Sequence, residues 1–87
     1  MRKLQLENKA VEDLHHWLAT DRKLLERILR LIEECRRSPF QGTGKPEPLK
    51  GNRSGFWSRR IDQEHRLVYK ATEEFIAVHS MRGHYDD

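Results

Sequence analysis

Apolar positions along this 87-residue chain change period twice, and each change marks a change of element. Leu4 and Leu6 flank the polar Gln5, the period-two alternation of a short strand. From about Asn8 the spacing becomes helical: Val11, Leu14 and Leu18 fall at i, i+3 and i+7, with Trp17 beside them. Asn8 is a suitable N-cap, and Glu12 and Asp13 place negative charge early in this helix. Thr20 and Asp21 interrupt the pattern and offer caps for a second helix. There Leu24, Ile28, Leu31, Ile32 and Cys35 recur on one face. Arg36 and Arg37 suit its C-terminal end, and Ser38-Pro39 stops it. Two helices joined so tightly predict an αα-hairpin whose apolar stripes share one target.

Residues 38–55 read as loop. Three prolines and four glycines lie between Pro39 and Gly55, a density that helix and strand interiors exclude. Structureless stretches of this length are uncommon in compact domains unless they are functional or disordered. Within this one, Pro46 and Pro48 restrict the backbone on both sides of Glu47. Period two then returns. Residues 56–62 and 65–71 predict two strands joined by a turn at Gln63-Glu64. Residues 75–81, apolar at nearly every position, predict a third strand, central in the sheet. The order β-α-α-β-β-β, in a single domain spanning residues 1–87, defines an α+β fold. A helical hairpin packs on one face of a small, mainly antiparallel sheet.

Alternation puts Phe56, Ser58, Arg60 and Asp62 on one face of their strand. On the next strand Arg66, Val68 and Lys70 oppose Leu67 and Tyr69. The helices are expected over Leu67 and Tyr69, which leaves Arg66 on the open side. Whether Arg60 joins Arg66 there depends on strand register, which period alone leaves undetermined.

Composition limits what such a fold can be. Hydrophobic and charged residues each make up 36 % of the chain, so the core is thin, and an oligomer or a bound partner would supplement its stability. The single cysteine, Cys35, excludes an internal disulfide and a cysteine metal cluster, and its place in the helical stripe makes it a small core residue. No histidine spacing suggests zinc, and nothing calls for a cofactor. Residues 1–7 lack the apolar run of a signal peptide, and no stretch approaches the roughly 20 apolar residues of a membrane span. A soluble cytoplasmic protein is the expectation.

Charge is segregated. The net charge is +3, yet residues 36–60 carry seven basic side chains (Arg36, Arg37, Lys45, Lys50, Arg53, Arg59, Arg60) against one acid, Glu47. Such a block is the footprint of a polyanion, although an acidic protein partner or a solvated loop fits the same field. Cleaving RNA through its own 2′-OH needs a base, an acid for the leaving 5′-oxygen, and cations for the phosphorane. Glu47 offers the base and His84 the acid, since imidazole transfers protons near neutral pH and a nearby carboxylate such as Asp86 favours its protonated form. Arg60, Arg66 and Lys50 offer the cations.

Several motifs then point to a family. Arg37-Ser38-Pro39-Phe40, Gly44-Lys45-Pro46-Glu47-Pro48-Leu49-Lys50, Ser54-Gly55-Phe56-Trp57-Ser58-Arg59-Arg60-Ile61, Glu64-His65-Arg66-Leu67-Val68-Tyr69 and Arg82-Gly83-His84-Tyr85 closely resemble the YoeB/Txe toxins, within the RelE-like group of toxin–antitoxin systems. The resemblance implies a RelE-like fold and a metal-independent, ribosome-dependent mRNA interferase that cuts mRNA in the A site of the 70S ribosome. By motif position Glu47 would be the general base, His84 the general acid and Arg66 the transition-state cation. Lys50 and Arg60 would hold phosphates, and Tyr85 would line the site. It also implies a homodimer and a YefM-like antitoxin that neutralises the toxin and joins it in repressing their operon. Two other readings use the same charges without catalysis: a basic module binding RNA or ribosome, and a degenerate toxin kept as a co-repressor. Arg53, Gly83, Asp86-Asp87 and a first strand without tryptophan depart from the family pattern.

Overall fold

Asp21 shows how little chain is needed to join the two helices. The computed structural model describes residues 1–83. In it, α1 (Asn8–Thr20) ends where the Asp21 N–H reaches Trp17 O at 2.8 Å, and α2 (Arg22–Arg37) begins where Asp21 Oδ1 accepts the Leu24 N–H at 3.0 Å. One non-helical residue closes one helix and caps the next. The basic Arg36 and Arg37 occupy the last turn of α2, as the dipole favours.

Among the described residues five strands make one sheet: β1 (Lys3–Leu6), β2 (Glu47–Pro48), β3 (Trp57–Arg60), β4 (Arg66–Ala71) and β5 (Phe75–Ser80). Their order is β1-β5-β4-β3-β2; β1 runs parallel to β5 and the other neighbours are antiparallel. This is the expected α+β architecture with one strand added. Residues 38–55, read above as loop, contribute β2 and a 3-10 turn at Gly51–Arg53. Pro48 is tolerated because β2 is an edge strand, where an absent N–H costs no ladder bond. β5 is flanked on both sides, as its apolar run predicts, while β4 is the middle strand.

The helices cover one face. Ile28, Leu31, Ile32 and Cys35 of α2 are buried with Leu67, Tyr69, Ile76, Val78 and Met81 from the sheet side. Burial pushes the Cys35 thiol up to about 11, so it remains an uncharged core residue. Leu25, outside the expected stripe, is buried, and Leu24 only half-buried. α1 departs further from expectation. It buries Ala10, Asp13 and Trp17, leaving Val11 and Leu18 about 40 % exposed (38 % and 42 %). A polar residue sets its rotation: Asp13 accepts the Met81 N–H at 2.9 Å and pairs with Lys9. A buried carboxylate so satisfied outweighs two methyl-bearing side chains. The N-cap is Glu7, not Asn8, and it makes no side-chain cap bond; its carboxylate lies 3.2 Å from His79 Nδ1.

Arg59 departs from expectation too, because it does not belong to the polyanion footprint. It is fully buried. Its Nε donates to Tyr69 Oη at 3.2 Å, Nη1 to Glu34 Oε1 at 3.0 Å and Thr43 O at 3.1 Å, and Nη2 to Gln41 O at 2.9 Å and to Ser38 O. Tyr69 Oη donates to Pro39 O at 2.5 Å. One guanidinium thus ties the loop after α2 to the sheet. Among the described residues no helix is long and apolar enough to cross a membrane.

Candidate active site

Register decides what the helix-free face of the sheet presents. Glu47 stands opposite Ser58, Ser58 opposite Val68, and Val68 opposite Ser80, so these four form one row across four strands. Two residues along, Arg60 stands directly opposite Arg66. Side chains paired in this way share a face, and period two puts both rows on the side away from Leu67 and Tyr69. The register therefore brings Glu47, Arg60 and Arg66 to one surface. Rows two residues apart lie about 6.7 Å along the strand, and neighbouring strands about 4.8 Å apart, within reach of side chains this long.

Each of these residues is held by a local device. Glu47 is exposed on the edge strand β2, entered through Gly44 and Lys45, both in the left-handed region (φ 86° and 51°). Gly44 has a reason to be glycine: a Cβ there would sit 2.8 Å from Arg60 O, while Gly44 O accepts the Arg60 N–H at 2.7 Å. Lys50 is exposed and opens the 3-10 turn, its carbonyl accepting the Arg53 N–H at 3.2 Å.

Arg66 begins β4 and is half-buried; its Nη1 donates to Asp62 O at 3.0 Å and His65 O at 3.2 Å. The turn that supplies those carbonyls is longer than the two residues expected, spanning 61–65. Asp62 closes it, its Oδ1 accepting the Glu64 and His65 N–H groups at 2.8 and 2.7 Å. Burial alone would raise the Asp62 carboxyl, but those two N–H bonds and the charges of His65 and Arg66 outweigh it and hold it low.

The chain beyond β5 returns to the same place. Arg66 N donates to Gly83 O at 2.7 Å, and Gly83 N donates to His65 Nδ1 at 2.9 Å. Trp17 and His65 meet edge to face (centroids 4.8 Å apart), and Trp17 Nε1 donates to Met81 O at 2.9 Å. Gly83 is thereby anchored beside Arg66. His84 and Tyr85, the remaining expected site residues, lie outside the described residues. The sequence carries no sign of the tertiary roles of His65, Asp62 and Asp13: Asp13 reads there as helix-dipole charge and Asp62 as a strand residue, because their partners are backbone groups or lie far along the chain. Arg59 did carry a signal: its parity with Trp57, opposite to Arg60, points it toward the helices.

Acid stability follows from two of these carboxyls. Glu34 is held low first by the Thr43 backbone N–H, against the opposing effect of burial, and then by Thr43 and Arg59. A depressed folded value contributes stability above the ordinary value and loses it as pH falls through the folded one. The ordinary values are 4.5 for Glu34 and 3.8 for Asp62. The urea midpoint should therefore decline below about pH 4.5. Glu34→Gln and Asp62→Asn should each flatten that decline; an unchanged acid limb in both would contradict the pairing.

Comparison with known proteins shows the family and the fold. A family model described as "YoeB-like toxin of bacterial type II toxin-antitoxin system" matches residues 6–85. Toxin YoeB of Mycobacterium bovis is 54 % identical over 85 residues, 98 % of this chain and all of that protein. The YoeB/ParE toxin from Agrobacterium tumefaciens superposes with a TM-score of 0.90 at 42 % identity, covering 98 % of this chain and 100 % of the other. The YoeB dimer from Staphylococcus aureus gives 0.89 at 36 % identity (97 % and 98 % covered). The heterotetrameric YoeB-YefM complex from the same organism gives 0.87 at 36 % (98 % and 99 % covered).

Proposed function

This chain belongs to the YoeB-like toxins of bacterial type II toxin–antitoxin systems, and on that premise we propose that it is an endoribonuclease acting on mRNA in the ribosomal A site. The observation that carries this reading is the Arg60–Arg66 pair, with Glu47 one row away on the same face. Like charges directly opposite on neighbouring strands destabilise a sheet, and a phosphate between them turns that repulsion into attraction.

Glu47 then takes the proton of the ribose 2′-OH. The 2′-oxygen attacks the adjacent phosphorus and the P–O5′ bond breaks. His84 delivers a proton to the departing 5′-oxygen, while Arg60, Arg66 and Lys50 stabilise the negative charge on phosphorus. Tyr85 lines the site. The ribosome supplies an ordered single strand, which suits a face whose charged side chains Glu47 and Arg60 are exposed around a buried centre at Val68 and Ser80.

The same reading gives the chain a YefM-like antitoxin as its neutralising partner and operon co-repressor, a homodimeric state, and a place in the cytoplasm. The dimer and the YoeB-YefM assembly of the S. aureus relatives support those partners. The test is the chemistry of the cut ends. A 2′,3′-cyclic or 3′-phosphate on the upstream fragment is expected; a 5′-phosphate on the downstream fragment would overturn 2′-OH attack.

A further inference from the structure

The helix-free face continues past the Glu47 row, on the side away from the arginines. Extending the β3–β4 register by one step sets Phe56 opposite Lys70, and Lys70 stands opposite Ala77 on β5. Lys70 Nζ lies 5.3 Å from the centre of the Phe56 ring. The sheet is irregular here: Val68 pairs with Ser80 and Tyr69 with Val78, so His79 is an extra residue in a bulge. Its ring meets the Phe56 ring at 5.6 Å, tilted by 57°, and Glu7 holds its Nδ1 at 3.2 Å. Gly55, at φ 98°, brings the chain into Phe56, and a Cβ there would lie 3.6 Å from Lys70 Cε. These three side chains have no part in the acid–base chemistry, yet they adjoin it.

We propose that Phe56, Lys70 and His79 form a nucleotide subsite for the residue on the 5′ side of the scissile phosphate, its base stacking on the Phe56–His79 ledge. The inference rests on the ribonuclease reading above. Glu47 must meet the 2′-OH of that nucleotide, and the arginine row must meet its 3′-phosphate. The base of the same nucleotide is then directed to the opposite side of the Glu47 row, about 6.7 Å along the strands, where the rings stand. Stacking on an aromatic side chain is worth roughly 5- to 150-fold in affinity per base, more than an exposed ammonium gains from the same ring. The base therefore displaces Lys70 from Phe56, and the released ammonium is drawn to the next upstream phosphate. An RNA strand is favoured over an acidic peptide because rings and cations alternate here, as single-strand channels require.

The experiment is a double-mutant cycle between protein and substrate, using programmed ribosomes. Wild type and Phe56→Leu are compared on mRNA with a normal or an abasic ribonucleotide at the position before the cut, the 2′-OH being kept. Each change alone should lower kcat/KM roughly 10- to 100-fold, and the two together little more than one. Lys70→Met, an exposed change that leaves the core intact, should raise KM roughly 3- to 10-fold and weaken its dependence on salt. Full additivity in the cycle, or an unaltered KM in Lys70→Met, would overturn the subsite while leaving the nuclease reading standing. Normal cleavage combined with a tenfold loss of antitoxin binding would reassign the ledge to a protein partner and overturn it too. If wild type does not cut RNA, or Glu47→Ala cuts as fast as wild type, the parent reading fails, and the subsite with it.

Discussion

Glu47→Ala is expected to lower mRNA cleavage by roughly 10²- to 10⁴-fold and to abolish growth arrest, with the folded state unchanged. The size of the effect follows from the role proposed for it: no other carboxylate shares the Glu47–Ser58–Val68–Ser80 row. The folded state is spared because Glu47 is exposed on an edge strand of two residues, and such positions shift stability by about 0.5 kcal/mol or less. His84→Ala should reproduce the loss, with antitoxin binding retained in both variants. The measurement pairs a cleavage assay on programmed ribosomes with a thermal melt. If either variant kept wild-type cleavage, its assignment as base or acid would be wrong. If both lost cleavage together with their melting transition, the residues would be structural.

Arg59→Met is expected to have the largest effect on stability. The side chain is fully buried and donates to Tyr69 Oη, Glu34 Oε1 and the carbonyls of Ser38, Gln41 and Thr43. Removing it takes this donor from the Tyr69 hydroxyl and the three carbonyls, while Glu34 keeps the Thr43 N–H; each buried acceptor left unsatisfied costs about 1–3 kcal/mol. In a chain this small their sum is most of the stability. The melting temperature should fall by more than about 12 °C, if a transition survives at all. Arg59→Lys should fare little better, since one ammonium cannot span acceptors arranged for a planar fork. Glu34→Gln should cost far less at neutral pH, because Arg59 keeps its other four acceptors. Equal losses in Arg59→Met and Glu34→Gln would mean that the ion pair alone, and not the carbonyl cluster, holds the loop.

Arg59 and Arg60 are adjacent, chemically identical and opposite in role. Counted together they form part of a basic block; separated by strand parity, one holds the loop to the sheet and the other faces the proposed substrate. Parity was legible, since Trp57 and Arg59 alternate with Ser58 and Arg60. The acceptors around Arg59 were not, because three of them are backbone carbonyls of a loop that leaves no periodic trace. α1 teaches the same point. Its apolar spacing favoured Val11 and Leu18, yet a hydrogen bond from Met81, 68 residues away, buries Asp13 and turns the helix.

Both helices, four of the five described strands and the family's motifs were determined by the sequence alone, because periodicity and prolines act over a few residues; β2, two residues long, leaves no period to read. Glu47, Arg60 and Arg66 were named as chemistry from residue type and motif. Only the tertiary structure decided that they share a face, since register is set by long-range pairing and a slip of one residue would send Arg60 to the core side. The bulge that carries His79 beside Phe56, and the anchoring of Gly83 between His65 and Arg66, are likewise products of strands meeting across the chain. Local patterns record what each segment can form; which side chains converge is fixed by how the segments pack.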